Sequence, residues 1–152
     1  MVSLPPPAGV YVPVPTFFVS KTASNYDAVA APVDSVTQGK HSVHLAKSGI
    51  TGLVILGSTG EAVHLSNKER FIVLSEARKS LEEAGFKDYP IIAGTAAQNV
   101  AEVIDQLVDA QKAGAQWGLV LVPGYFAGAV SQAGIVAWFN AVADKSPIPV
   151  MV

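Results

Sequence analysis

Short, wholly apolar runs that alternate with helix-like stretches limit most strongly what this chain can become. Gly52–Leu56 (GLVIL), Pro90–Ala93 (PIIA), Trp117–Val122 (WGLVLV) and the run beginning at Ile148 contain no charged, amide or hydroxyl side chain to mark a solvent face. Runs of this kind read as strands buried on both faces. Strands alternating with helices build a parallel sheet covered by helices. An earlier strand is expected over Gly9–Phe18, with Val10, Val12, Val14, Phe17 and Phe18 as its apolar residues. Pro13 and Pro15 are awkward in a central strand, so the C-terminal end of this segment is expected to be irregular. The final run reaches Val152 with no turn signal behind it. The expectation is therefore a chain that stops inside its fifth strand, with part of its machinery beyond Val152.

The helices have readable ends. Asp34 or Ser35 is placed to cap a helix running to Lys47, with Val36, Val43 and Leu45 among its buried positions and Gly49 as its stop. Ser66 with Glu69 three residues on has the spacing of a capping box, opening a helix that carries Phe71, Ile72, Leu74 and Leu81 and ends at Gly85. A third helix is expected over Asn99–Ala113, with Val100, Ile104, Leu107 and Val108 on one stripe, and a fourth over Gln132–Lys145. Val19–Ala31 reads as a loop with at most a short helix. Residues 1–8, with Pro5-Pro6-Pro7, read as a surface-lying arm, and residues 9–152 as one domain.

Two sheet architectures fit this alternation. An open doubly wound sheet binds ligands at a switch point, often with a glycine-rich phosphate loop. No G-x-G-x-x-G follows the first strand and no G-x-x-x-x-G-K-[ST] occurs. A (β/α)8 barrel instead builds its site from loops at one end, and the loops GSTGE, GTAAQN and PGYF after strands two, three and four carry polar or glycine residues there. A closed barrel needs about 250 residues, so the 152 present read as its first half, four βα units and the start of strand five.

Composition excludes several functions. The net charge is −2, which gives no electrostatic case for nucleic acid or an anionic membrane. No cysteine is present, which removes disulfides, thiol catalysis and thiolate metal sites. No apolar stretch reaches the roughly 18 residues of a membrane span, and no basic n-region precedes an apolar core at the N-terminus. A cytoplasmic protein is the expectation. Charged residues are 14% of the chain, against about 25% in typical globular domains, which fits a buried sheet or a domain that leans on a partner.

The loop Gly57-Ser58-Thr59-Gly60-Glu61 carries the sharpest chemical signal. Two glycines bracket two hydroxyls at a strand end, where glycine permits positive φ and close backbone approach. Such a loop can turn backbone N–H groups and hydroxyls toward one anion, with a small carboxylate as the natural guest. Its bland counterpart is a tight βα turn whose Ser and Thr bond their own backbone. Glu61 is read as capping or bracing the turn. Tyr125, beside Gly124, could relay a proton or form an amphipathic rim or subunit contact. His41 and His44 are three apart on an expected helix and are read as solvated or packing residues; His64 is a pocket neighbour at most. No metal is expected. The eight lysines, Lys21, Lys40, Lys47, Lys68, Lys79, Lys87, Lys112 and Lys145, all fall in expected loops or helices, where none suits a Schiff base.

Taken together, VPTFF at Val14–Phe18, GLVILGSTGEAVHLSNKER at Gly52–Arg70, PIIAGT at Pro90–Thr95 and VPGYF at Val122–Phe126 resemble the dihydrodipicolinate synthase/N-acetylneuraminate lyase family of pyruvate-dependent class I aldolases, over nearly all of the chain from Gly9. The resemblance implies a (β/α)8 barrel that assembles as a tetramer, a dimer of dimers. It implies a strand-six lysine, outside these residues, that forms a Schiff base with pyruvate; the enamine adds to an aldehyde, or a 2-keto acid is cleaved in reverse. No metal or other cofactor is implied. Ser58 and Thr59 match the loop that holds the pyruvate carboxylate, with Gly57, Gly60 and Glu61 shaping it. Ser58 and Tyr125 match a proton relay, the tyrosine crossing a tight dimer interface. Synthases of the family often carry Tyr-Tyr-Asn where this chain has Gly124-Tyr125-Phe126. That departure points to aldolases of 4-hydroxy-2-oxoglutarate or of 2-keto-3-deoxy sugar acids, with dihydrodipicolinate synthase as the alternative. A competitor of another class is an inactive half-barrel that serves as an interaction module.

Overall fold

A computed structural model describes residues 4–152; the first three residues of the expected arm lie outside the described residues. Five strands, β1 (Tyr11–Val14), β2 (Gly52–Ile55), β3 (Ile91–Gly94), β4 (Trp117–Leu119) and β5 (Val150–Met151), form one sheet in the order β1-β2-β3-β4-β5. Every neighbouring pair is parallel. Helices α1 (Ser35–Lys47), α2 (Asn67–Glu83), α3 (Val100–Lys112) and α4 (Gln132–Ala143) connect them in turn. Parallel crossovers are overwhelmingly right-handed, so a strand order without reversal places successive helices on one side. The other side curves toward a barrel interior. No switch point exists in such a sheet, and loops at the C-terminal ends of the strands gather on one rim.

The strands are shorter than expected. β1 begins at Tyr11 and stops at Val14, leaving Phe17 and Phe18 outside, with Phe18 held by an isolated bridge to Val33. Pro13 sits within β1 without harm because backbone groups alternate sides along a strand. Val10 O accepts from Gly52 N at 3.3 Å, so the two-residue period turns Pro13 away from β2. β4 ends at Leu119 rather than Val122, and α4 ends at Ala143 rather than Lys145.

Register places Val14, Ile55, Ala93 and Gly118 side by side, on the face toward the helices. A Cβ on Gly118 would stand 2.3 Å from Leu107 Cδ2 of α3, so the Leu107 side chain occupies the space that the glycine leaves on β4. Val73, Leu74, Ala77 and Leu81 of α2, with Val103 and Leu107 of α3, complete the core.

Helix ends follow local chemistry. Asp34 caps α1 by accepting from Thr37 N, Ser66 and Glu69 form the reciprocal capping box of α2, and Asn99 caps α3 through Glu102 N. The buried face of α1 differs from expectation. Val36 is exposed and Val43 and Leu45 are half-buried, while Gln38, Gly39, Ser42 and Ala46 are buried. The reason is close helix–helix approach: a Cβ on Gly39 would lie 2.1 Å from Ser80 Oγ of α2. Phe71 and Ile72 of α2 are likewise partly exposed.

Gly94 closes β3 directly beneath the chain leaving β2. A Cβ there would lie 2.1 Å from Leu56 O, a backbone atom that cannot step aside, whereas a Cβ on Gly57 would meet nothing nearer than 3.9 Å. Gly94→Ala is expected to lower the unfolding free energy by about 2–3 kcal/mol, and Gly57→Ala to change it by no more than about 0.5 kcal/mol. Urea denaturation of both variants checks the contrast.

Candidate functional site

After β2 the chain makes two overlapping turns, with Gly60 N donating to Gly57 O at 3.0 Å and Glu61 N to Ser58 O at 3.1 Å, before a short 3-10 helix at Ala62–His64. The left-handed residues here are not the glycines. Leu56 has φ +65° and Glu61 φ +52°, while Gly57 and Gly60 lie outside that region. Gly60 is needed for a different reason: its Cβ would meet Leu56 N at 3.0 Å and Val14 O at 3.1 Å. A left-handed leucine costs about 1–2 kcal/mol, and Leu56 is fully buried, so the surrounding contacts must enforce it.

The consequence is a run of open donors. Among the described residues, the amides of Gly57, Ser58 and Thr59 donate to no backbone or side-chain acceptor. The side chains of Ser58 and Thr59 are exposed and likewise bond no protein group. Ser58 lines a hollow of about 210 Å3 together with Thr95, Ala96, His64 and Leu121; Thr59 stands on the same loop without lining it. The Glu61 side chain makes no cap, so the bracing expected of it comes from its backbone alone, through Glu61 N and through Glu61 O accepting from His64 N at 2.9 Å.

Buried polar side chains hold this loop and the segments beside it, and sequence reasoning missed all of them. Thr16 Oγ1 donates to Gly60 O at 2.6 Å in the interior. Arg70, 5% exposed, donates from Nη2 to Gly94 O at 2.5 Å and from Nη1 to Ala62 O at 3.3 Å. Gln106, 8% exposed, accepts from Ala96 N at 3.0 Å and donates to Asn67 Oδ1 at 3.3 Å. Burial pulls the Arg70 guanidinium down to about 10, with Glu102 opposing part of that fall. A signal was present: Arg70 falls on the same helical stripe as Val73, Ala77 and Leu81, a charge on an apolar face.

Tyr125 is not brought to Ser58 within this chain. It is 80% exposed, its amide donates to Gln98 Oε1 at 3.0 Å, and its ring packs edge-on against Phe126 with centroids 4.8 Å apart. It lines a separate apolar hollow of about 400 Å3 with Phe126 and Trp138. His41 packs edge-on against Phe17 at 5.0 Å and stacks with His44 at 6.4 Å. The eight lysines all lie on helices or in loops.

A parallel sheet in unreversed order, with an open-amide loop at the end of β2, defines the N-terminal part of a (β/α)8 barrel. Comparison with known proteins agrees. The model of the dihydrodipicolinate synthetase family matches residues 30–152, and the chain belongs to that family. It is 44% identical over its full length to a protein of Emericella nidulans named "Probable 4-hydroxy-2-oxoglutarate aldolase, mitochondrial", covering 46% of that relative. It is 41% identical, over 94% of its length and 41% of the relative, to an L-threo-3-deoxy-hexylosonate aldolase of Aspergillus niger. The crystal structure of YagE from Escherichia coli K12 in complex with pyruvate superposes with a TM-score of 0.77 at 31% identity, over 94% of this chain and 43% of that one. The chain thus spans about half the length of the relatives it matches.

Two measurements probe the scaffold of the site. Thr16→Val strands Gly60 O without its buried donor and is expected to cost about 1–2 kcal/mol, read by thermal or urea unfolding. Burial, and secondarily the charge of His44, holds the His41 imidazole below its ordinary 6.5. The unfolded chain therefore takes up that proton first, and the stability carried by neutral His41 is present above 6.5 and lost as pH falls through the lower folded value. Urea unfolding at pH 7.5 and 5.5 is expected to show a smaller loss in His41→Gln than in the parent.

Proposed function

We propose that this chain is the N-terminal half of a barrel enzyme that makes or cleaves a carbon–carbon bond between pyruvate and an aldehyde through a lysine Schiff base. The observation that carries the reading is the run of open amides at Gly57–Thr59, flanked by the free hydroxyls of Ser58 and Thr59 at the C-terminal end of a barrel strand. Together they suit one small carboxylate, and a family structure contains pyruvate. In this reading residues 9–152 are half of a single barrel domain and residues 1–8 an arm.

In the cleavage direction the substrate ketone condenses with the lysine amine and releases water. A base takes the proton of the 4-hydroxyl, the C3–C4 bond breaks, an aldehyde leaves, and the electron pair remains as an enamine. Protonation at C3 and hydrolysis return pyruvate and the lysine. Ser58 and Thr59 hold the carboxylate, and Ser58 passes a proton to Tyr125. The exposure of Tyr125 and its place in a hollow separate from that of Ser58 suit a side chain given to a second copy's site, as in a dimer of dimers. The route needs no metal. The substrate class is 4-hydroxy-2-oxoglutarate or a 2-keto-3-deoxy sugar acid, supported by the named activities of the relatives and by Gly124-Tyr125-Phe126 in place of Tyr-Tyr-Asn. No helix among the described residues is long and apolar enough to cross a membrane. A cytoplasmic site is our reading; recovery in mitochondria, as the name of the Emericella relative suggests, would replace it.

Incubation of the full-length protein with pyruvate and borohydride, followed by denaturing mass spectrometry, is expected to show one reduced adduct on a lysine outside these residues. Ser58→Ala and Tyr125→Phe are each expected to lower turnover by roughly 10²-fold. A natural chain of 15.8 kDa that takes no adduct would overturn the enzyme in favour of the interaction module.

A further inference from the structure

Arg70 is a buried cation whose described hydrogen bonds all go to main-chain carbonyls. No Asp or Glu oxygen lies within 4.0 Å of its guanidinium among the described residues; the three ion pairs present involve Arg78, Lys79 and Lys112. Glu102, which acts on it at longer range, is itself exposed and hydrogen-bonded to Asn99. A desolvated guanidinium without a carboxylate is costly. The location of this charge, which has no carboxylate in direct contact among the described residues, is therefore informative.

The Arg70 side chain itself lines a hollow with Asn67 and Gln106; of its two acceptors, one belongs to the wall of the neighbouring hollow beside the open amides and the other adjoins it. Ala62 lines that hollow, and Gly94 immediately precedes Thr95, which lines it too. The fork thus spans the segment that follows the Gly57–Glu61 loop and the end of β3. The same Gly94 is the surface on which the Leu56 carbonyl rests, with room for no side chain between them. A shift of β3 away from Ala62 would undo the support of left-handed Leu56, and with it the geometry that leaves the three amides open.

We propose that Arg70 is a positioning residue for carboxylate binding: it clamps Ala62 and Gly94 behind the Gly57–Thr59 amides and provides the fixed positive charge that a bound carboxylate balances. The inference rests on the anion-cradle reading above. Fixed charge and oriented amide dipoles add in their effect on an anion, and both act more strongly where water is excluded. A clamp alone would need only hydrogen bonds; a cation at this place also favours a charged guest over a neutral one.

The test compares pyruvate with methyl pyruvate, which keeps the ketone and loses the carboxylate charge. Half-saturating concentrations for borohydride-trapped adduct are measured in the full-length parent, Arg70→Gln and Arg70→Lys, with circular dichroism to establish folding. In Arg70→Gln the value for pyruvate is expected to rise about five- to twentyfold, and that for methyl pyruvate to change less than about twofold. Arg70→Lys retains the charge and is expected to restore most of the preference for pyruvate. Equal shifts for both probes in a folded Arg70→Gln would reduce Arg70 to a structural clamp and overturn the proposal. Should Arg70→Gln fail to fold, a folded Arg70→Lys that has lost the preference overturns it, and one that keeps the preference supports it. A parent that forms no adduct with pyruvate overturns the cradle reading itself, which is a distinct failure.

Discussion

The half-barrel depends on buried cations of one helix that bond main-chain carbonyls at both ends of the sheet. Arg70 and Arg78 lie eight residues apart on α2, two helical turns along the same buried face. Arg70 ties the C-terminal rim through Gly94 O and Ala62 O. Arg78 ties the N-terminal rim through Gly114 O at 2.7 Å and Tyr89 O at 2.8 Å. Carbonyls at strand ends lack ladder partners and would be costly to bury alone. The guanidinium fork supplies several donors in a fixed plane, so one side chain can satisfy two strand ends and fix the distance between them. Helix α2 is thereby both a layer of the core and the brace of the loops on each side of the sheet.

At the C-terminal rim, that brace borders the loop after β2. The loop after β2 forgoes hydrogen bonds for three successive amides and accepts a left-handed leucine. Neither cost would persist without enforcement: Thr16 bonds the loop at Gly60, Gly94 lies against Leu56, and Arg70 holds the flanking Gly94 and Ala62. Stored strain and unmet donors commonly coincide with ligand sites, and in the proposed function the open amides are the partners offered to an anion without reorganisation. The flank of the rim is different in character. Leu121, Val122, Tyr125 and Phe126, apolar and aromatic residues after β4, are all exposed there.

Much of the fold was legible in order along the chain. The apolar runs at Gly52–Leu56 and Pro90–Ala93 became β2 and β3 because runs of that kind have no solvent face to offer. The cap at Ser66 opened its helix as expected and that of α1 fell on Asp34 rather than Ser35, since capping is settled within four residues; Asn99, expected as the first residue of α3, is its cap. The candidate site was legible to the level of its loop. GSTGE was read as a tight loop with free hydroxyls at a strand end, yet its left-handed residues proved to be Leu56 and Glu61, because the seat on Gly94 and the packing of Gly60 against Val14 O set those torsions from outside the loop. Val36 was misplaced on α1 for a similar reason: Gly39 lets α1 approach α2 so closely that the small-residue stripe, not the bulky one, faces inward.

By itself the sequence determined the succession of βα units, the helix ends, the loop with hydroxyls at a strand end and the family to which the chain belongs. These rest on interactions among residues near one another in the chain, or on motifs read in line. Tertiary structure alone decided which amides stay open, that Ser58 and Tyr125 stand apart within one chain, and that Arg70 lies buried behind the loop rather than on the surface of α2. Those outcomes turn on contacts between residues 24 to 46 positions apart, such as Arg70 with Gly94 and Thr16 with Gly60 at separations of 24 and 44 and Val14 with Gly60 at a separation of 46. No local pattern specifies such contacts; they exist only once the sheet has brought the strand ends to one rim.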